Sequence, residues 1–239
     1  MTTKVKIWLG LLTAGVLLGI LLNGWLSTNL LHLTLLNKQR NEPFTVLSLA
    51  RGVEPDIYTS RVILPLTDLL ASEGGHLIDQ YEMQQLFDGP RSSGWRYLSR
   101  LHMQQARDIA KVMTATPYRS FPEIMPKLER RMLGGFRETE PVWRETLVLW
   151  LLQVDDPSRV DPSLDELVAL LSEYDGRLVW DATPIVLAGR ERWDRAFVVD
   201  FERAVEARAW LRDPDVATLR AIVNARAQRM TVSLYQAKP

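Results

Sequence analysis

Two apolar runs, FTVLSLARG (residues 44–52) and ETLVLWLLQVDD (residues 145–156), each begin a stretch of the chain with the same order of predicted elements. Uninterrupted apolar runs of this length are typical of buried β-strands. After each run the sequence predicts a helix, a hairpin, a second helical region and a final strand. This order is the β-α-β-β-α-β arrangement of ferredoxin-like domains. We therefore expect an α+β protein with two such units.

The two stretches also share individual residues in the same order, with small insertions between them. Trp95 and Trp193 each begin the third predicted strand. The other matches pair Ser72-Glu73 with Ser172-Glu173, Gly75 with Gly176, Pro117 with Pro214, and Arg131-Met132 with Arg229-Met230. These matches predict an internal duplication, with ferredoxin-like repeats at residues 41–140 and 141–239. Each repeat alone would leave one apolar sheet face bare, so we expect the two sheets to pack face to face.

The second repeat resembles the dimeric α/β-barrel superfamily, and within it the small uncharacterised domains. The residues that carry the resemblance are Gly176-Arg177-Leu178, WDRAFVVDF (193–201), ARAWL (207–211) and Asp213-Pro214. Members usually pair two copies across their sheets, which implies that the pair lies within one chain here, as an intrachain dimeric α/β barrel. The superfamily includes haem enzymes, cofactor-free monooxygenases, isomerases and domains with no known activity, so the resemblance implies no single reaction.

The first repeat departs from this pattern at its end. LGGFRETE (residues 133–140) makes a poor fourth strand, and the residues before it read as a basic helix that ends near Arg131. The sequence therefore leaves open whether the first repeat has a fourth strand, and where it ends near Pro141.

Residues 1–40 predict a membrane anchor and its juxtamembrane segment. IWLGLLTAGVLLGILL (residues 7–22) carries no charge, and the apolar run to Leu26 has the length, roughly 20 residues, that crosses a hydrocarbon core as a helix. Trp8 and Trp25 would lie near the two interfaces. A cleaved secretory signal is the alternative, but the residues after Leu22 offer no good cleavage site. We expect a single-pass membrane protein with its soluble portion outside the cytoplasm, in the periplasm if the source is Gram-negative.

The predicted function rests on this anchor and on the scarcity of reactive groups. Gly15 and Gly19 stand one helical turn apart, a spacing that lets a second membrane helix approach closely. The formal net charge of zero argues against nucleic-acid binding. We therefore expect a non-enzymatic accessory subunit of a larger membrane complex, with membrane lipid and other membrane protein subunits as its partners.

Residues suited to catalysis or metal binding are sparse. The chain has no cysteine, no glycine-rich nucleotide-binding motif and three histidines, His32, His76 and His102. His76 begins a second strand and His102 ends a third, so the two could lie near one sheet edge as solvent-exposed strand ends. No His-x-x-x-His or similar spacing is present, and no metal or cofactor is predicted.

The rival prediction is a membrane-tethered enzyme or small-ligand-binding protein with a pocket between the two sheets. A carboxylate that faces an apolar cavity has a raised pKa and can act as a general base. The plainer interpretation is that Asp79 pairs with Arg96 or Arg100 on the neighbouring strand. The residues that would line the pocket are Asp79, Tyr81, Trp180 and Asp181.

Overall fold

The computed structural model of the chain describes residues 42–90, 94–114, 127–136, 142–188 and 192–237. Within these ranges no helix has the length and apolar character needed to cross a membrane. The predicted anchor, with Gly15 and Gly19, lies outside the described residues.

Nine strands and six α-helices make up the described fold. The strands are β1 Phe44–Arg51, β2 Gly75–Asp88, β3 Tyr97–Met103, β4 Glu129–Phe136, β5 Thr146–Gln153, β6 Arg177–Ala182, β7 Ile185–Ala188, β8 Arg195–Phe201 and β9 Arg229–Ala237. The α-helices are α1 Pro55–Tyr58, α2 Leu64–Ser72, α3 Ile109–Thr114, α4 Asp161–Ala169, α5 Ala204–Arg212 and α6 Pro214–Arg226. A π-helical segment, Thr59–Ile63, joins α1 to α2.

All nine strands belong to one sheet, in the order β6-β8-β5-β9-β2-β3-β1-β4-β7. The strands at the two ends of this order, β6 and β7, are separated in the chain only by Thr183 and Pro184. Three Cα steps span at most about 11 Å, so the two ends of the ladder must meet. Consistent with this, a Cβ atom on Gly135 of β4 would lie 3.2 Å from Cζ2 of Trp180 on β6. The sheet therefore curls into a barrel.

The predicted fold class is wrong for the described residues, because they form one sheet and not two separate sheets packed face to face. Strands from the two predicted repeats hydrogen-bond to each other at two places. The second part of β2 pairs antiparallel with β9, from Tyr81 opposite Ala237 to Asp88 opposite Val232. On the other side, β4 pairs with β7. One continuous sheet satisfies these backbone groups, whereas separate sheets would expose four edges.

The two halves nevertheless place their strands in the same order. In the first half the order is β2-β3-β1-β4, and in the second half it is β6-β8-β5-β9. A register shift falls at the same rung of each hairpin, between Leu77 and Asp79 and between Leu178 and Trp180. The division at residues 41–140 and 141–239 stays a prediction.

The end of the first half corrects two details of the sequence interpretation. Arg131 lies in a strand, β4, and not at the end of a basic helix. Leu133 opposes Leu47 of β1, so the first half has its fourth strand. Two glycines weaken the strand pattern there, but Gly134 has a packing reason: its missing side chain leaves room for the ring of Phe44.

Alternation along the strands separates an inner from an outer apolar layer. The inner face of the barrel is filled by side chains from both halves, among them Leu47, Leu98, Leu149, Val198 and Tyr235. Helices α4 to α6 cover the outer face of the second half, where Trp150 packs against Phe197 and Trp210. In the described part of the chain, the inner face of the barrel is thus a hydrophobic core to which both halves contribute.

The two adjacent glycines of β4 provide a test of this packing. We expect Gly134→Ala to lower the free energy of unfolding by about 1–3 kcal/mol, because the new Cβ overlaps the buried ring of Phe44. Gly135→Ala meets only the edge of Trp180 and should cost less. Chemical denaturation of the two variants measures the difference; equal losses would show that this contact does not constrain the strand.

The start of α6 provides a second test, through pH. Oδ1 of Asp213 accepts hydrogen bonds from the backbone N–H groups of Asp215 and Val216, and Oδ2 accepts one from the hydroxyl of Tyr174 at 2.6 Å. The bond from Tyr174 is the largest cause that lowers the pKa of Asp213, and the backbone bonds add to it. A carboxyl with a lowered folded-state pKa stabilises above its unfolded pKa of about 3.9, and that stabilisation is lost as the pH falls through the folded value.

We therefore expect the stability difference between wild type and Asp213→Asn to be largest near neutral pH and to shrink below about pH 4. Tyr174→Phe removes one donor and should show the same trend with a smaller amplitude. Urea denaturation at a series of pH values checks this; a difference independent of pH would contradict it.

Candidate functional site at the rim of the barrel

A buried ion pair occupies the inner face of the first half. Arg100 of β3 lies opposite Leu47 of the interior core, and its side chain is only 2% exposed. Its Nε donates to Oδ2 of Asp79 at 2.9 Å, and its Nη2 contacts the same oxygen. Asp79 stands opposite Arg100 on β2 and keeps 29% of its side chain exposed. The structure thus forms the Asp79–Arg100 pair that the sequence offered as the plainer interpretation.

Two aromatic side chains flank this pair. Tyr81 lies on the same strand and face as Asp79, is 3% exposed, and donates its hydroxyl to the carbonyl oxygen of Arg144 at 3.4 Å. The indole of Trp143 lies 4.2 Å from the guanidinium carbon of Arg100 and 6.4 Å from the ring of Tyr81. Burial raises the pKa of Tyr81, and the charge of Asp79 raises it further against the opposing effect of Arg100. The phenol is therefore protonated at neutral pH and is a hydrogen-bond donor.

A second ion pair completes the cluster from the other half of the chain. The carboxylate of Asp200 on β8 is fully buried, and it accepts hydrogen bonds from Nε and Nη2 of Arg177 at 2.8 and 2.7 Å. It also accepts one from the backbone N–H of Arg144 at 3.0 Å. The hydroxyl of Tyr81 and the carboxylate of Asp200 bond to the carbonyl oxygen and the backbone N–H of the same residue, Arg144, which links the two groups. We call Asp79, Tyr81, Arg100, Trp143 and Asp200 the polar rim cluster.

The four predicted pocket residues do not share one site. Asp79 and Tyr81 come together on the inner face, and Trp180 lies in the interior core, 2% exposed. Asp181 faces the outer side, opposite Phe197, and receives a hydrogen bond from Nη2 of Arg195 at 2.7 Å. Burial raises the pKa of Asp181, although Arg195 acts in the opposite direction.

Sequence reasoning missed two members of the polar rim cluster, Trp143 and Asp200, and also Arg177, the partner of Asp200. One signal for Asp200 was present, because it is the single acid within the apolar run AFVVDF of β8. A charge in a strand that is buried on both faces requires a partner. The sequence does not identify this partner, because Arg177 lies on another strand of the hairpin, β6.

The two described histidines, His76 and His102, stand directly opposite each other on β2 and β3. Their ring centroids are 5.1 Å apart, with the ring planes tilted by 50°. His76 is exposed and His102 half-buried. Haem, which some members of the superfamily bind, takes an axial histidine at its iron; these two rings face each other at an open strand end and do not fit that role. Within the described residues no group of three or more histidine, cysteine or acidic side chains is placed to hold a metal ion.

A groove with a volume of about 490 Å³ lies on the helical layer, away from the rim. It is bounded by α4 and α6, with Leu170, Leu219 and Ile222 along its apolar part and Glu166 and Asp215 among its lining residues. These side chains lie outside the barrel, so the groove is separate from the polar rim cluster.

Comparison with known families covers the second half of the chain. Residues 146–236 match the family described as "Domain of unknown function (DUF1330)". This match leaves out the first half, including Asp79, Tyr81 and Arg100. No curated protein matches the sequence.

Solved structures with a similar fold cover most of the chain. An anthrone oxidase-like protein superposes with a TM-score of 0.54 at 16% identity, over 84% of this chain and 93% of that one. A double mutant of chlorite dismutase from Candidatus Nitrospira defluvii gives a TM-score of 0.51 at 12% identity, over 82% and 92% of the two chains. Together with the family match, they show that this chain has the fold of the dimeric α/β-barrel superfamily.

The function predicted from the sequence, a membrane-anchored accessory subunit, is wrong. The similar structures are an oxidase-like protein and a dismutase. Enzymes therefore use this fold, and the expectation of a non-enzymatic protein has no support from it.

The ion pairs of Asp79 and Asp181 should differ in how much stability is lost when they are broken. Asp79→Ala removes a carboxylate partner of a buried guanidinium and should cost about 3 kcal/mol. Arg100→Met should cost less, because the carboxylate of Asp79 keeps access to water. Asp181→Ala breaks a more exposed pair and should cost about 1 kcal/mol or less. Chemical denaturation of the three variants measures these losses; equal effects at Asp79 and Asp181 would contradict the assignment of Arg100 as a buried charge.

Proposed function

We propose that the chain is an enzyme that binds a small, mostly apolar substrate through an acidic hydroxyl at the polar rim cluster. The observation that carries this proposal is the pairing of a fixed, partly exposed carboxylate, Asp79, with a buried phenol, Tyr81, on one face of β2. The family match and the similar structures support the fold, whereas Asp79 and Tyr81 support the proposed function.

Asp79 is the acceptor in this proposal. An ionised carboxylate offers about four acceptor positions, and the bonds from Arg100 are both made to Oδ2. Because Arg100 is buried beneath the strand, the carboxylate is held in one orientation while part of it faces solvent. A group so placed binds a substrate that donates a hydrogen bond, such as a phenol or an enol, and repels a carboxylate.

Tyr81 is the donor. Its raised pKa keeps the hydroxyl protonated. In the proposed complex this single proton turns from its long bond to the carbonyl oxygen of Arg144, at 3.4 Å, to the substrate oxygen, on which negative charge develops when the substrate hydroxyl passes its proton to Asp79. Carboxylates in general are weak bases, so a proton passed to Asp79 must come from an acidic hydroxyl. The indole of Trp143 supplies an apolar wall beside Tyr81 and the guanidinium of Arg100.

Binding of two matched probes tests the proposal. We expect 1-naphthol to bind the full-length protein and 1-methoxynaphthalene, which lacks the donor hydroxyl, to bind at least about tenfold more weakly, a difference of about 1.4 kcal/mol. Asp79→Asn and Tyr81→Phe should each weaken binding of 1-naphthol, while Asp181→Asn, on the outer face of the barrel, should leave it unchanged. Isothermal titration calorimetry measures all of these.

Two results would overturn the proposal. One is equal affinity for the two probes, and the other is wild-type affinity for 1-naphthol in Asp79→Asn. Circular dichroism of each variant separates a lost binding group from a lost fold.

We also propose that the two halves arose by duplication. The sequence matches Trp95 with Trp193 and Arg131 with Arg229. In the structure, the arginine of each half contacts the tryptophan of the same half. The guanidinium of Arg131 lies 5.0 Å from the ring centre of Trp95, and that of Arg229 lies 5.2 Å from the ring centre of Trp193. The same cation–π contact thus recurs at the matching place of each half.

A further inference from the structure

His76 and His102 share one rung of the antiparallel ladder between β2 and β3. Directly opposed residues have their Cβ atoms roughly 5 Å apart, so the two imidazoles leave the sheet side by side. This rung adjoins the rung of Leu77 and Leu101 and lies at the open end of the hairpin, where His76 is exposed. A small solute can reach it from water.

The separation of the rings suits a shared metal ion. An imidazole nitrogen binds zinc at about 2.0–2.1 Å, and two imidazoles at a tetrahedral angle around one ion have ring centres roughly 5 Å apart. The observed distance between the ring centroids is 5.1 Å, with a tilt of 50° between the rings. Imidazole suits zinc, copper and nickel ions better than it suits magnesium or calcium.

The second half joins its two strands at the corresponding rung by an ion pair. Counted from the register shift of each hairpin, the rung of His76 and His102 corresponds to that of Arg177 and Asp200. There, two hydrogen bonds of 2.8 and 2.7 Å connect the guanidinium and the carboxylate. In the first half the same rung carries two groups that are both metal ligands, and an ion between them would make the equivalent connection.

We propose that His76 and His102 bind a divalent transition-metal ion, with zinc, copper and nickel as the candidate ions. In the part of the chain that the structure describes, no third histidine, cysteine or acidic residue joins them. The nearest carboxylate along the inner face, Asp79, is engaged by Arg100. With two protein ligands from the described residues, the site binds metal more weakly than a closed structural zinc site with four.

The histidine content of the chain allows a matched experiment. Isothermal titration of the full-length, tag-free protein with ZnCl₂ should show one ion bound per chain. His76→Gln and His102→Gln should each weaken that binding by about tenfold or more, since even changes to outer-shell groups cost about 10–100-fold in metal affinity. His32→Gln, the control, removes the third histidine and should bind zinc as the wild type does.

A second measurement does not depend on the variants folding. Electron paramagnetic resonance of the wild-type protein with one equivalent of Cu²⁺ should show hyperfine coupling to two imidazole nitrogens. The proposal is overturned if the wild type binds no zinc, if His76→Gln and His102→Gln bind it with wild-type affinity, or if the copper spectrum shows one imidazole or none. Neither measurement uses 1-naphthol, so failure here is distinguishable from failure of the proposed function.

Discussion

Closure of the sheet is the constraint on which the rest of the structure depends. β6 and β7 occupy opposite ends of a nine-stranded ladder, yet only Thr183 and Pro184 separate them in the chain. Proline cannot donate to a ladder, so the strand stops at this point and its continuation pairs with β4 in the first half. The ends of the ladder are thereby brought together, and the inner faces of both halves become one core.

This closed core explains why the polar side chains lie where they do. The interior is occupied by side chains from both halves, so charged groups are tolerated only near an end of the barrel, where water reaches part of each pair. Asp79 and Arg177 are the partly exposed partners, and Arg100 and Asp200 are the buried ones. The long β2 strand, which pairs first with β3 and then with β9, carries Asp79 and Tyr81 to the junction of the two halves.

The spacing of apolar side chains along the chain predicts most of the individual strands and helices. It does not predict which strands, distant in the chain, lie next to each other in the sheet. The apolar runs that form β1 and β5 are confirmed, as is the second helical region of the second half, which forms α5 and α6. By contrast, the alternation of side chains in β2 and β7 does not identify the strands beside them, β9 and β4. The sequence therefore predicted two separate sheets. The sequence also left the fourth strand of the first half in doubt because Gly134 is unusual inside a strand, whereas in the structure it makes room for Phe44.

The candidate site shows the same contrast between local and distant pairing. The pairing of Asp79 with Arg100 was predicted within one hairpin, but the contribution of Asp200 depends on how the halves join.

The two hairpins finally show how a common backbone can support a site in one half only. The register shift occurs at the same rung in each, but the residues that follow it differ: Asp79 opposes Arg100, whereas Trp180 opposes Val198. In the second half the apolar pair completes the core, and Trp180 packs against Gly135 across the closure. The first half places an ion pair at the same position, which costs more to bury than an apolar pair. Such a pair is a poor choice for stability alone, and its partly exposed carboxylate is the feature of this barrel best suited to meet a substrate.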